Sequence, residues 1–169
     1  EKQINEYDEN GNVIKSTLYD AEGKVSTDST YEYAVNSNGD TYEVKNITDY
    51  GDRKMVAEYN EHEEIVYRAF YDPNGTLMSE DKWEYGYDAD GNETWQKHYL
   101  DGRLADEIVS YAVAELEDYT MRYPQSMIEY AEDGTKFVSD YDTRGELAAE
   151  TLYNADGSIA SMMIYAYEY

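Results

Sequence analysis

Apolar residues along this chain alternate with polar ones rather than recurring at helical spacing, and the alternation restarts about every twelve residues. In "YDENGNVIKSTLYDAEGKV" (residues 7–25) a tyrosine and an acid precede a glycine, a short alternating run follows, and the phrase begins again. Glycines fall at 11, 23, 39, 51, 75, 91, 102, 134, 145 and 157, with Gly86 out of step and Glu63 where a further glycine is expected. A period near twelve is too short for a helical hairpin. It suits one strand of about eight residues and one turn of about four.

The turn chemistry is explicit in "YDPNG" (71–75). Asp72 suits the first position of a type I turn, Pro73 the second with its preset φ, and Asn74 the third, while Gly75 takes the left-handed fourth place. The same roles are expected of Asp8 and Gly11, Asp20 and Gly23, Asp88 and Gly91, Asp142 and Gly145, and Gly157. This geometry pairs the tyrosine four residues before each glycine with the residue two after it. The expected pairs are Tyr7–Val13, Tyr19–Val25, Tyr59–Ile65, Tyr71–Leu77, Tyr141–Leu147 and Tyr153–Ile159.

Carried one hairpin further without correction, the register also sets Val13 against Tyr31 and Leu147 against Tyr165. It places Ile14, Leu18, Val56, Val66, Phe70, Met78, Leu152, Met162 and Ile164 together on the opposite face. The expected fold is all-β: an antiparallel up-and-down meander of about 12–13 strands. A dozen strands would span roughly 58 Å if flat, so the sheet should be strongly twisted or coiled, in one layer or two. Residues 1–169 read as a single β-repeat domain with an irregular insertion around 104–130. Within it, 104–119 fits an alternating strand with Val109, Tyr111 and Val113 on one side and "AELED" as a turn. It also fits a helix carrying Leu104, Ile108, Ala112 and Leu116. Pro124 should mark an edge, a bulge or a loop.

Three of these segments, "YEYAVNSNGD", "YGYDADGNETW" and "YDTRGELAAETLYNADGSI", resemble the YD repeats of Rhs-type bacterial surface and toxin proteins. The form Y-x-Y-D-x-x-G-N at Tyr85 to Asn92 matches best. The turn pattern is also similar to MORN-like repeats of bacterial antitoxin components. The first resemblance implies strands winding into a coiled sheet in a secreted or cell-surface protein, sometimes with carbohydrate binding, and brings no catalytic residues with it.

Composition narrows the function. Thirty-eight acids against 13 bases give a net charge of −25. Such a field repels phosphate backbones and anionic lipid, so neither nucleic acid nor direct membrane insertion is expected. The 21 tyrosines oppose the disorder that high charge would otherwise suggest. With no cysteine there is neither disulfide nor thiolate metal site. The chain opens at Glu1 already inside the repeat, so any targeting or lipid-anchor segment is expected upstream. No apolar run reaches the length of a membrane-spanning helix.

Chemistry is sparse. His62 and His98 lack ligand spacing, and Gly91 sits at the fourth place of "DADGN" where a calcium loop needs it at the sixth. Neither cofactor nor metal is expected, and no enzyme activity. The most pointed cluster is "WEYGYDADGNETW", which holds both tryptophans. The derived register sets Trp83 opposite Lys97, Tyr85 opposite Trp95 and Tyr87 opposite Glu93, all on one face. Trp83, Tyr85, Tyr87, Trp95 and Lys97 would then form an aromatic platform for a sugar ring, or simply the thickest part of the packing. Gly86 lies inside this strand, so Gly86→Val should cost less than Gly75→Val unless the position marks a bulge or close packing. The expected protein is a non-catalytic, extracellular or surface-anchored module with a structural or binding role. Its partner is a glycan or a protein, with an acidic immunity protein against a basic toxin as the alternative.

Overall fold

The structure is a computed structural model in which residues 1–115 and 120–167 are described. These residues form no helix. They build thirteen antiparallel strands in one open sheet whose spatial order follows the chain, with β1 and β13 as its two edges. The strands are β1 (Lys2–Tyr7), β2 (Val13–Tyr19), β3 (Val25–Val35), β4 (Thr41–Asp49), β5 (Lys54–Tyr59), β6 (Ile65–Tyr71) and β7 (Leu77–Tyr87). They continue as β8 (Glu93–Leu100), β9 (Arg103–Glu115), β10 (Thr120–Tyr130), β11 (Lys136–Tyr141), β12 (Leu147–Tyr153) and β13 (Ile159–Ile164). The chain divides into two compact units, Glu1–Lys82 and Trp83–Tyr169.

The turns follow from the residues at their heads. Asp72 N–H donates to Thr76 O (2.9 Å), and Gly75 N–H donates to Asp72 O (3.0 Å). The Asp72 carboxylate accepts the backbone N–H groups of Asn74 (2.9 Å) and Thr76 (2.8 Å). Gly75 stands at φ 85°, the left-handed conformation that costs an L-residue roughly 1–2 kcal/mol. Asp8, Asp88 and Asp142 repeat the two carboxylate bonds, and Asn36 and Asn60 make them with an amide oxygen. Asp20 keeps one, to Lys24 N–H. Gly11, Gly23, Gly91, Gly145 and Gly157 are all left-handed. Glu63 holds the same place at φ 62°. The donors hold the Asp72 carboxyl below the usual carboxylate range, chiefly through Thr76 N–H. Asp8 and Asp88 are held low in the same way, chiefly by the side chains of Asn12 and Asn92.

All six expected tyrosine pairs are present: Tyr7–Val13, Tyr19–Val25, Tyr59–Ile65, Tyr71–Leu77, Tyr141–Leu147 and Tyr153–Ile159. Each adjoins a bulge, however. Tyr7 opposes Val13 while Glu6 opposes Lys15, so Ile14 is an extra residue. The bulge moves every pairing beyond it by one place and reverses which face a side chain takes. Val13 therefore does not oppose Tyr31; β2 and β3 pair as Lys15–Thr30, and it is the Tyr33 hydroxyl that reaches Val13 O (3.0 Å). Tyr165 N–H bonds Ala148 O rather than standing against Leu147. The expected common apolar face is divided for the same reason. Val56 pairs with Ala69 and Phe70 with Met55, so Val56 and Phe70 lie on opposite faces. Thr151 pairs with Met162 and Leu152 with Ser161, which separates Leu152 from Met162.

Burial in the first unit is lateral. One face carries the row Thr30–Ile47–Val56–Ala69–Glu80 across β3 to β7, and the other carries Tyr31–Asn46–Ala57–Arg68–Asp81. Ala57 and Ala69 are buried because longer side chains of adjoining rows close over them. Arg68 donates from Nε and Nη2 to Asp81 Oδ2 (3.0 and 2.8 Å), covering an aspartate that is itself buried. The polar row is closed further along by Ser29 and Thr48, whose hydroxyls lie 3.0 Å apart.

In the second unit residues 104–115 are strand, within β9, which pairs antiparallel with β10 (Thr120–Tyr130). The rest of the helix-or-turn segment, 116–119, lies outside the described residues. Pro124 sits at a register irregularity between β9 and β10, where its missing N–H leaves no ladder bond unmade. The Arg122 guanidinium lies 4.3 Å from the Tyr111 ring centroid. The Tyr130 hydroxyl donates to Glu107, and burial with that bond pushes its pKa up to about 12. Tyr123 is buried; an added Cβ on Gly145 would meet its ring at 3.1 Å, so the β11–β12 turn packs on it.

The turn account carries a paired expectation. Gly75→Val should destabilise by roughly 1–2 kcal/mol, since it adds strain at a positive φ while the added Cβ meets nothing within 4 Å. Glu63→Gly should be neutral or mildly stabilising, because Glu63 already bears that strain. Denaturant melts of both variants check this; a harmless Gly75→Val or a strongly destabilising Glu63→Gly would contradict the turn assignment.

Candidate functional site

The β7–β8 hairpin brings the sequence-selected aromatics close in space but does not set them on one face. Its turn places Asp88 N–H on Asn92 O at 2.9 Å, as in the other hairpins. Trp83 stacks on His98, not opposite Lys97, with ring centroids 4.7 Å apart and planes 9° from parallel. His98 Nδ1 lies 2.8 Å from Asp106 Oδ2 on the next strand, extending the stack into an indole–imidazole–carboxylate line. Tyr85 and Tyr87 follow Trp83 on the same face by strand alternation, their rings 6.3 Å apart.

Trp95 lies on the reverse face. Its indole covers Gly86, where an added Cβ would stand 1.9 Å from Nε1. Lys97 accompanies it there, with Nζ 5.8 Å from the Trp95 ring. The expected pairings of Trp83 with Lys97 and Tyr85 with Trp95 thus fail by one residue, as the bulge beside each turn requires. The five residues form two small surfaces: Trp83, Tyr85 and Tyr87 with His98 on one side, Trp95 and Lys97 on the other. All are half-buried, each with part of its ring or stem toward solvent. Gly86 has a reason that sequence alone left open, since only a residue without Cβ lets the indole lie flat on the strand.

The first unit holds a feature with no counterpart in the sequence expectations. A cleft of about 770 Å³ opens on one face of β4, β5 and β6, between the turn at 50–53 and the turn at 72–75. Ile47 and Val56, a cross-strand pair, form its apolar strip, and Tyr67 and Tyr71 line the β6 side. Lys45 enters from β4, and Arg53 and Lys54 from the start of β5. Lys45 is bound to Glu58 at 2.8 Å, and that bond holds its pKa above the usual lysine value. The signal that could have found this place is "DRK" (52–54), the one point in the chain where two cations are adjacent.

Chemically, both places suit non-covalent contact. The carboxyls of Asp72 at the cleft and Asp88 in the hairpin turn are both held below the usual carboxylate range, chiefly by Thr76 N–H and the Asn92 side chain. Among the described residues no three His, Asp or Glu side chains are grouped to hold a metal ion.

No family model matches the chain, and no curated protein matches it in sequence. A porin-like protein from Bacteroides uniformis is a structural neighbour at 8% identity, covering 89% of this chain and 90% of that one with a TM-score of 0.26. A likeness at that level carries no argument about fold or function.

The Trp95–Gly86 contact predicts the reverse of the order expected from sequence. Gly86→Val should destabilise by roughly 1–3 kcal/mol or more, exceeding Gly75→Val, because the new side chain displaces the indole rather than only straining a turn. Denaturant melts followed by tryptophan fluorescence should show both the lower midpoint and a changed native emission. A Gly86→Val protein with unchanged emission and stability would remove the indole from that seat.

Proposed function

We propose that this chain is a non-catalytic, extracellular or surface-anchored β-repeat module that works by presenting side chains from an open sheet, with glycans as its ligand class. The observation that supports this best is the half-exposed aromatic hairpin. Trp83 stacks on His98, which is bonded in turn to Asp106, with Tyr85 and Tyr87 further along the same face. Half-exposed aromatic rings on one face offer the apolar C–H face of a sugar a surface to lie on, and carboxylates nearby in so acidic a chain can accept its hydroxyl protons. The YD-repeat resemblance supports a location outside the cytoplasm, with secretion or a lipid anchor directed from upstream.

A second reading is favoured by the charge of −25. An acidic immunity protein would steer onto a basic toxin and cover it, with rapid, salt-sensitive association. A signal peptide or lipidation signal upstream favours the surface reading, and a neighbouring toxin gene favours immunity.

The test of the leading reading is a glycan array followed by titration of the neutral-glycan hits against Trp83→Ala and Trp95→Ala. Binding should be lost with Trp83→Ala and spared by Trp95→Ala, because the two rings serve different faces. A flat response across a broad panel would overturn the glycan reading.

A further inference from the structure

We propose that the β4–β6 cleft of the first unit is a binding site for an anionic saccharide, whose carboxylate or sulfate is held by Arg53 and Lys54 while its ring lies along Ile47 and Val56. The cleft is lined by three cations, Lys45, Arg53 and Lys54, and by three carboxylates, Asp49, Glu58 and Asp72, so its formal charges balance and what distinguishes it is which donors are left over. Three of the chain's 13 lysine and arginine residues line it, in a protein carrying 38 acids. Each carboxylate lining the cleft already has a partner within the fold: Asp49 accepts Gly51 N–H at 2.8 Å, Glu58 holds Lys45 at 2.8 Å, and Asp72 closes its own turn. Arg53 and Lys54 differ. Both are exposed, and among the described residues neither forms an ion pair or a side-chain hydrogen bond; Arg53 only lies over the Tyr50 ring at 5.3 Å.

Arg53 and Lys54 are thus two adjacent cations whose side-chain N–H donors no carboxylate among the described residues takes up, an unfilled donor set at the mouth of the cleft. An incoming anion is the partner that completes it. The remaining surface describes what the anion is attached to. The Ile47–Val56 strip is apolar and flat, the tyrosines at 67 and 71 stand along one side, and backbone of two turns forms the ends. A ring with an apolar face, polar edges and one exocyclic acid matches this, whereas a phosphate alone would leave the strip unfilled.

This inference rests on the glycan-binding reading but on a different unit, so the two can fail separately. The full chain is titrated by calorimetry and by amide-shift NMR with trigalacturonic acid, a sulfated heparin disaccharide and neutral maltotriose. One or both acidic probes should bind, with shifts centred on Ile47 and Val56, and maltotriose should leave those amides unmoved; which acid binds distinguishes carboxylate from sulfate. Arg53→Gln and Lys54→Gln should each weaken binding by roughly tenfold, the loss of one charge-assisted contact. Arg53→Lys should retain most of it, and Trp83→Ala and Trp95→Ala should have no effect. Because neither cation has a side-chain partner in the fold, the Gln variants should melt as the parent does. Failure of both acidic probes, or binding indifferent to the Gln variants, would overturn the cleft. Acidic-probe binding abolished by Trp83→Ala instead would assign the saccharide to the hairpin and overturn this proposal alone.

Discussion

A side-chain acceptor at the head of most turns organises this sheet, as at Asp8, Asn36, Asn60, Asp72, Asp88 and Asp142. An aspartate or asparagine oxygen takes backbone N–H groups two and four residues on, which commits the chain to a type I turn, and the fourth residue must then turn left-handed to rejoin a strand. That left-handed residue adds one position to the returning strand. The bulge it produces sets the register of the next pair and decides which side chains face which side. Tyrosine opposite aliphatic at six of the turn mouths then packs the hairpin beside the bulge.

Such control matters because little else constrains the fold. Among the described residues the contacting strands are neighbours in chain order, and apart from Tyr123 the buried residues are small or hydrogen-bonded, such as Ala57, Ala69, Thr151 and the Arg68-bound Asp81. Stability is therefore distributed along cross-strand rows and turns rather than concentrated in a core. The same openness leaves aromatic and charged groups accessible on the sheet faces, which is what a presenting or binding surface needs. It also leaves β13 exposed along its whole length, with Ile164 at 76%.

Turn chemistry was legible because it is local: Asp72, Pro73, Asn74 and Gly75 carry their roles within five residues, and all six tyrosine pairs could be placed from them. What lay beyond a bulge was not. Alternation alone counts positions evenly, so it put Trp95 and Lys97 on the face of Trp83 and gathered Val56 with Phe70, when the extra residue reverses each. Residues 104–115 were ambiguous because alternating and helical patterns overlap in a run rich in alanine and valine. The β4–β6 cleft draws on three strands and two turns, from Lys45 to Gly75, so no single stretch announces it beyond the Arg53–Lys54 pair.

The central claim, that turns and lateral rows hold this sheet without a conventional core, is tested most directly by the heat capacity change of unfolding. Scanning calorimetry across a range of pH should give a ΔCp clearly below the roughly 12–15 cal/mol/K per residue of compact globular domains, because less apolar surface is hidden to begin with. A value at or above that range would mean that a substantial apolar core is buried in the native state, and would contradict the account.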